Sequence, residues 1–135
     1  MTQYNKPLPE ITLLTEPFWE GLKQRELRLQ RCDDCPAYRF TPKDVCPACS
    51  SVKATWTPVS GAGSVYSYSV VHRGPGPAFQ EDAPYIVVMV ELAEGPRILS
   101  HMTGCEPEDM QIGMPVMVVF EDVTPEVTLY KFRPL

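Results

Sequence analysis

Apolar and polar residues alternate with a period of two along most of this chain, which is the pattern of half-buried β-strands. Alternating segments, or short apolar runs rich in β-branched residues, lie at 26–31, 38–40, 52–59, 64–72, 85–92, 97–102, 116–120 and 127–132. Fifteen prolines interrupt the chain, and proline disrupts both helix interiors and central strands. The pattern therefore predicts a mainly β protein built from short elements.

One early segment has the spacing of a helix instead. Thr15 can cap its first turn, Pro17 suits a position where no backbone N–H is needed, and the segment would run over 15–25. The apolar stripe of this helix consists of Phe18, Trp19 and Leu22. Such a stripe either packs on the rest of the chain or docks on another subunit. The first dozen residues, which precede the helix, are expected to form a loose arm.

Four cysteines occur as two Cys-x-x-Cys pairs separated by ten residues: Cys32 with Cys35, and Cys46 with Cys49. Each pair brings two thiols onto one tight turn, and two such turns supply the four sulfurs of a tetrahedral zinc site. Iron in a rubredoxin-like site is the main alternative, because the same sulfurs suit both ions. Since thiolates would fill every coordination position, the metal is expected to be structural and not catalytic.

Disulfide bonds are a further interpretation of these cysteines, but the start of the chain argues against it. The opening residues, MTQYNKP, do not resemble a signal peptide, and a reducing cytosol keeps thiols free to bind metal. The longest apolar run is only as long as a strand, so no membrane span is expected. We therefore expect a cytoplasmic zinc protein.

The C-terminal strands follow the order of an OB-fold barrel: three strands, helical turns at 106–110, then two strands. Gly61 and Gly63 mark the break before them. The sequence thus predicts an N-terminal helix and rubredoxin-like zinc ribbon over 1–60, followed by a five-stranded OB-fold domain over 61–135. The connection at 73–84 is long and rich in glycine and proline, as functional or mobile loops commonly are.

The charge distribution argues against a nucleic-acid partner. The chain carries a net charge of −5, and residues 60–135 hold 4 Lys or Arg against 10 Asp or Glu. An OB fold beside a zinc ribbon suggests single-stranded nucleic acid on fold alone, but such a groove should be basic. Tyr66 and Tyr68 could stack on bases, although tyrosines at this spacing more commonly form barrel wall. Nucleic-acid binding is kept as the alternative function.

The chain resembles the acyl-CoA-associated zinc-ribbon/OB-fold proteins, long catalogued as a domain of unknown function. The resemblance rests on the helix with Phe18 and Trp19 and on the segments LRLQRC, CPAC, GSVYSYSVVH, APYIVVMVEL, IGMPVMVVFED and YKFRP. It implies a non-catalytic partner of thiolase-fold enzymes in a hetero-oligomer. These enzymes include degradative thiolases, hydroxymethylglutaryl-CoA synthase-type enzymes and steroid side-chain aldolases. It also implies that the OB part helps to hold a CoA thioester or covers the partner's active site.

Candidate binding residues combine this resemblance with side-chain chemistry. His72 and Arg73 end the first barrel strand, and arginine is well shaped for a CoA phosphate; a solvated strand end is the alternative. Phe79 in the long loop and Tyr85 after it are the other candidates for contact with CoA or substrate. On the helix, Phe18 and Trp19 are the candidate partner-binding side chains, since aromatic anchors concentrate interface energy.

The sequence lacks a convincing catalytic constellation. His101 and Cys105 are four residues apart and suggest a Cys–His nucleophile, but Gly104 lies between them and no orienting carboxylate is evident. Cys105 is more simply explained as a small buried residue. Paired catalytic carboxylates, a phosphate loop and a nucleophile elbow are missing. We therefore expect no turnover by this chain alone, with the nucleophilic cysteine and the acid–base histidine supplied by the partner.

Overall fold

The computed structural model describes residues 4–135, which form mainly β-strands. Helix α1 spans Glu16–Lys23 and a short helix α2 spans Pro77–Gln80, with a 3₁₀ turn at Pro107–Asp109. The strands are β1 (Leu27–Cys32), β2 (Tyr38–Arg39), β3 (Ala54–Val59), β4 (Ala62–Val71), β5 (Tyr85–Leu92), β6 (Arg97–Met102), β7 (Pro115–Asp122) and β8 (Thr128–Pro134). The predicted fold class is confirmed, and β5 and β6 have the predicted limits.

Two sheets organise the chain. The first is antiparallel in the order β2-β1-β3, and it carries the cysteine pairs at its end. The second is a closed barrel in the order β4-β5-β6-β8-β7, with β7 pairing back to β4. That is the strand order of an OB fold. The predicted division at residues 60 and 61 falls in the short connection between β3 and β4.

The barrel is closed most weakly between β6 and β8. These strands run parallel and share one pair, Met102 with Phe132. Side chains replace the missing ladder: the Ser100 hydroxyl donates to the Tyr130 carbonyl at 2.7 Å, and the Tyr130 hydroxyl donates to the Leu99 carbonyl at 3.1 Å. The sparse pairing leaves room for a cleft beside this seam, as described below.

A single apolar core joins the helix, the first sheet and the barrel. It contains Leu22 of α1, Leu29 of β1 and Phe132 of β8, each 0% exposed. Phe18 is 3% exposed, and its ring centroid lies 5.6 Å from those of both Phe40 and Tyr130. Its ring is therefore enclosed in the core of the chain itself, and a contact between Phe18 and a partner stays a prediction.

The ends of α1 differ from the expectation. Thr15 is the N-cap residue, but its hydroxyl makes no capping bond and instead accepts the Thr12 backbone N–H at 3.0 Å. At the other end, Arg25 lies beyond the helix with φ of 63°. The Glu26 N–H bonds to the Gly21 carbonyl at 2.8 Å, as in a Schellman motif. The helix is thus shorter than predicted, because the chain turns left-handed at Arg25.

The N-terminal arm contacts the long loop between β4 and β5. The loop contains α2, whose first residue is Pro77. Lys6 of the arm forms an ion pair with Asp82 of the loop at 2.8 Å, and the Asn5 amide donates to Glu81 at 3.2 Å. Residues 4–12 otherwise form no helix or strand, and residues 1–3 of the predicted arm lie outside the described residues. Neither helix within residues 4–135 has the length and apolarity needed to cross a membrane.

Candidate functional site

The four paired cysteines converge at the end of the first sheet. All four Sγ atoms lie within 4.8 Å of one another, with Cys32 and Cys49 separated by 3.5 Å and Cys35 and Cys46 by 3.7 Å. A zinc–thiolate tetrahedron with bonds of about 2.3 Å has edges of about 3.8 Å. The thiols are free and too far apart for disulfides. The ligand set fits a structural zinc ion.

Backbone hydrogen bonds within each Cys-x-x-Cys turn, here called a knuckle, favour the thiolate form of one cysteine. The Cys35 N–H points at the Cys32 Sγ at 3.4 Å, and this hydrogen bond lowers the pKa of Cys32. Hydrogen bonds from the N–H groups of Cys49 and Ala48 lower the pKa of Cys46 to about 6. A divalent cation binds the deprotonated sulfur. In each pair, the turn therefore lowers the pKa of one cysteine, which favours metal binding by its thiolate.

Two side-chain hydrogen bonds connect the first knuckle to the segment that follows the second knuckle. Asp33 accepts a hydrogen bond from the Thr55 hydroxyl at 2.7 Å, and Asp34 accepts one from the Ser51 hydroxyl at 2.5 Å. Both carboxylates lie between Cys32 and Cys35 in the chain. These bonds fix the turn that carries two ligands to the segment after Cys49.

A second candidate site is a cleft of about 650 Å³ beside the seam between β6 and β8. Its volume lies in the range of small-molecule sites. The walls come from the N-terminal arm, the loop around α2, and the ends of four barrel strands. The lining residues are Tyr4, Asn5, Lys6, Phe79, Glu81, Asp82, Tyr85, His101, Met102, Thr103, Glu121, Asp122, Val123, Leu129 and Lys131.

Most of the cleft's charges are paired within the chain. Lys6 pairs with Asp82, Lys131 with Glu121, and Asp122 with Arg25. Since both lysines of the lining already contact carboxylates, the cleft offers little free positive charge to phosphate groups. Its chemistry suits an uncharged ligand segment better than a polyphosphate.

An aromatic pair forms part of the cleft wall. The rings of Tyr85 and His101 are 5.1 Å apart and tilted by 52°. Burial lowers the pKa of His101, and the nearby Lys131 lowers it further. The imidazole is therefore neutral at neutral pH, and it can offer one donor and one acceptor to a ligand.

Only two of the four ligand-binding residues predicted from the sequence lie in the cleft. Phe79 and Tyr85 line the same cleft, and the ammonium of Lys6 lies 5.9 Å from the Phe79 ring centroid. His72 and Arg73 are exposed and lie outside the lining. His101 was considered for catalysis and missed as a cleft residue. His101 pairs with Val87 on β5 and reaches the Tyr85 ring diagonally. This contact depends on the strand register, which residue spacing alone does not determine.

Cys105 is placed as a packing residue. Its thiol lies 3.4 Å from the Glu106 carbonyl and 3.7 Å from the Met110 sulfur. Burial raises the pKa of Cys105, with further increases from Asp109 and Glu106. A protonated thiol is a poor nucleophile, so these surroundings do not activate it.

The outer face of β4, β5 and β6 carries a shallow apolar groove. Tyr66, Tyr68 and Leu99 are among its lining residues, and the Arg97 guanidinium lies 3.7 Å from the Tyr66 ring centroid. Arg97 is also paired with Glu91 at 3.3 Å. With its cation already engaged, this face lacks the basic groove that a nucleic acid requires.

Comparison with known families identifies both parts of the chain. Residues 19–52 match a family model described as the ChsH2 rubredoxin-like zinc ribbon domain. Residues 56–121 match the model described as the ChsH2 C-terminal OB-fold domain. Together these matches cover most of the chain.

The curated relatives include a protein named as a hydratase subunit and a protein named as a scaffold protein. The chain is 41% identical over 129 residues to a probable enoyl-CoA hydratase alpha subunit of Thermomonospora curvata, a match that covers 96% of this chain and 40% of that protein. It is 37% identical over 125 residues to a DUF35 domain-containing scaffold protein of Methanocaldococcus jannaschii, covering 87% and 88% of the two chains. The chain thus spans about two fifths of the hydratase subunit and most of the scaffold protein.

A solved structure gives the same relationship in three dimensions. The chain is similar to one chain of a structure described as an Ltp2-ChsH2(DUF35) aldolase, with a TM-score of 0.84 and 41% identity. The match covers 94% of this chain and 98% of that one.

Proposed function

We propose, from the premise that this chain belongs to the DUF35 family of zinc-ribbon and OB-fold proteins, that it is an accessory subunit of an acyl-CoA enzyme complex. Its partner would be a thiolase-fold enzyme in a hetero-oligomer, located in the cytoplasm. The observation that carries the proposal is the near-complete match to one chain of the Ltp2-ChsH2(DUF35) aldolase structure. The names of the relatives as scaffold protein and hydratase subunit support the same role.

The chain's own residues would act by binding and closure. The zinc ribbon holds the helix in place, and the half-buried Trp19 on that helix is the remaining candidate for an aromatic anchor at the interface. The barrel cleft would hold part of the thioester beside the partner's active site. Positioning a reactant and excluding water lower the barrier without any catalytic group from this subunit.

The cleft is suited to the acyl-pantetheine part of a CoA thioester. That segment is uncharged and bears amides, which Tyr85, His101 and Thr103 could hydrogen-bond, while Phe79, Met102 and Leu129 offer apolar contact. The phosphates would lie outside, because the cleft's two lysines are already paired. Arg73 and His72 are the exposed candidates for contact with those phosphates.

Assembly is tested by co-expressing the chain with thiolase-fold enzymes of the same organism and measuring the complex by gel filtration. A stable complex of defined stoichiometry is expected at micromolar concentration. Failure of every such enzyme to bind would reject the accessory-subunit role.

Ligand binding is tested separately by titrating the complex with an acyl-CoA and with the matching acyl-pantetheine. Tyr85→Ala should weaken the binding of both ligands. Tyr66→Ala removes a tyrosine from the outer face of the barrel and should leave both affinities unchanged. If Tyr85→Ala also has no effect, the cleft is not the thioester site, even where assembly is intact.

A further inference from the structure

Two buried polar residues of the first sheet are not explained by the metal ligands or the cleft. Gln30 on β1 and Arg39 on β2 are each 5% exposed, and they lie directly opposite each other in the antiparallel pair. The Arg39 Nε donates to the Gln30 Oε1 at 3.2 Å. Burying an amide and a guanidinium is costly unless each is well paired, so their contacts identify what they stabilise.

Both side chains form hydrogen bonds with the backbone of one residue, Lys43. The Gln30 amide accepts the Lys43 N–H at 2.8 Å and donates to the Lys43 carbonyl at 2.9 Å. The same carbonyl accepts a second hydrogen bond from Arg39 Nη2 at 3.1 Å. Lys43 lies three residues before Cys46, within the connection that leads to the second knuckle. The network therefore fixes the approach of Cys46 to the metal centre.

Arg39 also has an unmet requirement for negative charge. Its Nη1 atom is buried and has no hydrogen-bond partner among residues 4–135, and within that range Arg39 forms no ion pair with a carboxylate. Unpaired buried charge is strongly destabilising. The positive charge at this position needs a counter-charge that no carboxylate of the described chain provides.

The metal centre would provide that charge. Cys32 follows Gln30 by two residues on β1, so both side chains point to the same face about 7 Å apart along the strand. Arg39 is the cross-strand neighbour of Gln30 on this face. Four thiolates around a divalent zinc carry a net charge of −2. Opposite charges on the same face of a small sheet attract each other substantially where water is largely excluded.

We propose that Arg39 and Gln30 are positioning residues for the zinc centre. Arg39 provides the buried positive charge that balances the zinc–thiolate dianion, and the two side chains together hold the Lys43 backbone so that Cys46 is preset for binding. The role belongs to the chain's own metal chemistry and does not depend on the proposed partner.

The test measures zinc affinity of the full chain by competition with a chromogenic chelator. Loss of a group that supports metal ligands costs about 10- to 100-fold in affinity, so Arg39→Met should weaken zinc binding by about that factor. Lys53→Met is the control. It removes an exposed cation from the segment after Cys49, and its zinc affinity should stay within about twofold of the unmodified chain. Arg39→Lys keeps the charge and should fall between the two.

A second comparison separates charge balance from ordinary packing. Arg39→Lys and Arg39→Gln both replace the guanidinium with a different polar group, but only lysine keeps the positive charge. If Arg39 balances the zinc–thiolate charge, Arg39→Lys should bind zinc more tightly than Arg39→Gln. Equal zinc affinities for these two variants, or a zinc affinity of Arg39→Met equal to that of Lys53→Met, would overturn the proposal. If Arg39→Met does not fold, Arg39→Gln takes its place.

Discussion

Arg25 and Asp122 form a bidentate ion pair that connects the end of α1 to the end of β7. The two N–H···O distances are 2.9 and 2.8 Å. Asp122 also accepts a hydrogen bond from the Thr128 hydroxyl at 2.6 Å. Arg25 occupies the left-handed position where glycine usually ends a helix. The left-handed backbone conformation is unfavourable for an arginine, but the Arg25 side chain links the helix to the barrel.

The pair should make stability depend on pH in the acid range. The Arg25 guanidinium, assisted by the Thr128 hydroxyl, holds the pKa of Asp122 well below its usual range. A carboxyl group whose pKa is depressed on folding stabilises the fold above its unfolded pKa of about 3.9, and that contribution falls as the pH decreases toward the folded value. The urea midpoint of Asp122→Asn should therefore lie below that of the unmodified chain at pH 7. The difference should shrink between pH 4 and pH 2.5, and a constant difference would contradict this account.

Substitutions at Arg25 should separate the steric cost of its backbone conformation from the stability that its side-chain ion pair contributes. Arg25→Ala and Arg25→Gly both remove the ion pair, but only glycine adopts a φ of 63° without steric cost. The glycine variant should therefore melt at a higher temperature than the alanine variant. If alanine matched or exceeded glycine in thermal unfolding, the left-handed conformation would not be a source of strain.

The metal ligands and most strands could be predicted because their signals are local. Cys32 and Cys35 are separated by one turn, and the nearly continuous apolar run at 85–92 predicts β5. Which of its side chains face the barrel core is given by the structure. The cleft could not be predicted in this way. It depends on contacts such as Asn5 with Glu81, 76 residues apart in the chain. Such contacts depend on how the arm and the loop pack, which no short-range pattern records.

Two further differences arise because burial is decided by tertiary packing. The amphipathic stripe of α1 did not distinguish a core residue from a docking residue, and the structure encloses Phe18 while leaving Trp19 half-buried. No local signal distinguishes the buried Arg39 from an exposed arginine such as Arg31. The burial of Arg39 follows from cross-strand pairing with Gln30, which depends on the register of β1 and β2.

Removing the metal should unfold the ribbon. The purified chain should contain about one zinc, with X-ray absorption giving four sulfurs at about 2.3 Å. Cys46→Ser removes one ligand and should lower zinc content and stability, because the small first sheet depends on its metal. Cys105→Ser is the control, since Cys105 lies outside the cluster. It should retain full zinc content, and a stable metal-free form of the unmodified chain would contradict the structural role.

The isolated chain should not turn over acyl-CoA thioesters. Its candidate thiol, Cys105, is held protonated by burial and by nearby carboxylates, which raise its pKa. Assays of hydrolysis and thiolysis across an acyl-CoA panel should therefore give rates equal to the buffer blank. In the assembled complex, Cys105→Ala should leave activity unchanged. A fall in activity for a variant that still folds and assembles would show that the thiol takes part in the chemistry.

Phe18 and Trp19 should have opposite phenotypes although they are adjacent. Phe18 fills the junction between the ribbon and the barrel, so Phe18→Ala should lower the free energy of unfolding of the isolated chain by about 3–5 kcal/mol. Trp19 packs edge-on against Phe18 at 5.3 Å but is only half-buried. Trp19→Ala should therefore cost the free chain about 1 kcal/mol.

The same pair of variants tests where the partner docks. If Trp19 anchors the interface, Trp19→Ala should weaken binding by about 2 kcal/mol or more, which is about a 30-fold rise in the dissociation constant. Isothermal titration of the partner and urea unfolding of the free chain give the two quantities independently. A loss of stability as large as that of Phe18→Ala, with unchanged affinity for the partner, would assign Trp19 to the core and require a different docking surface.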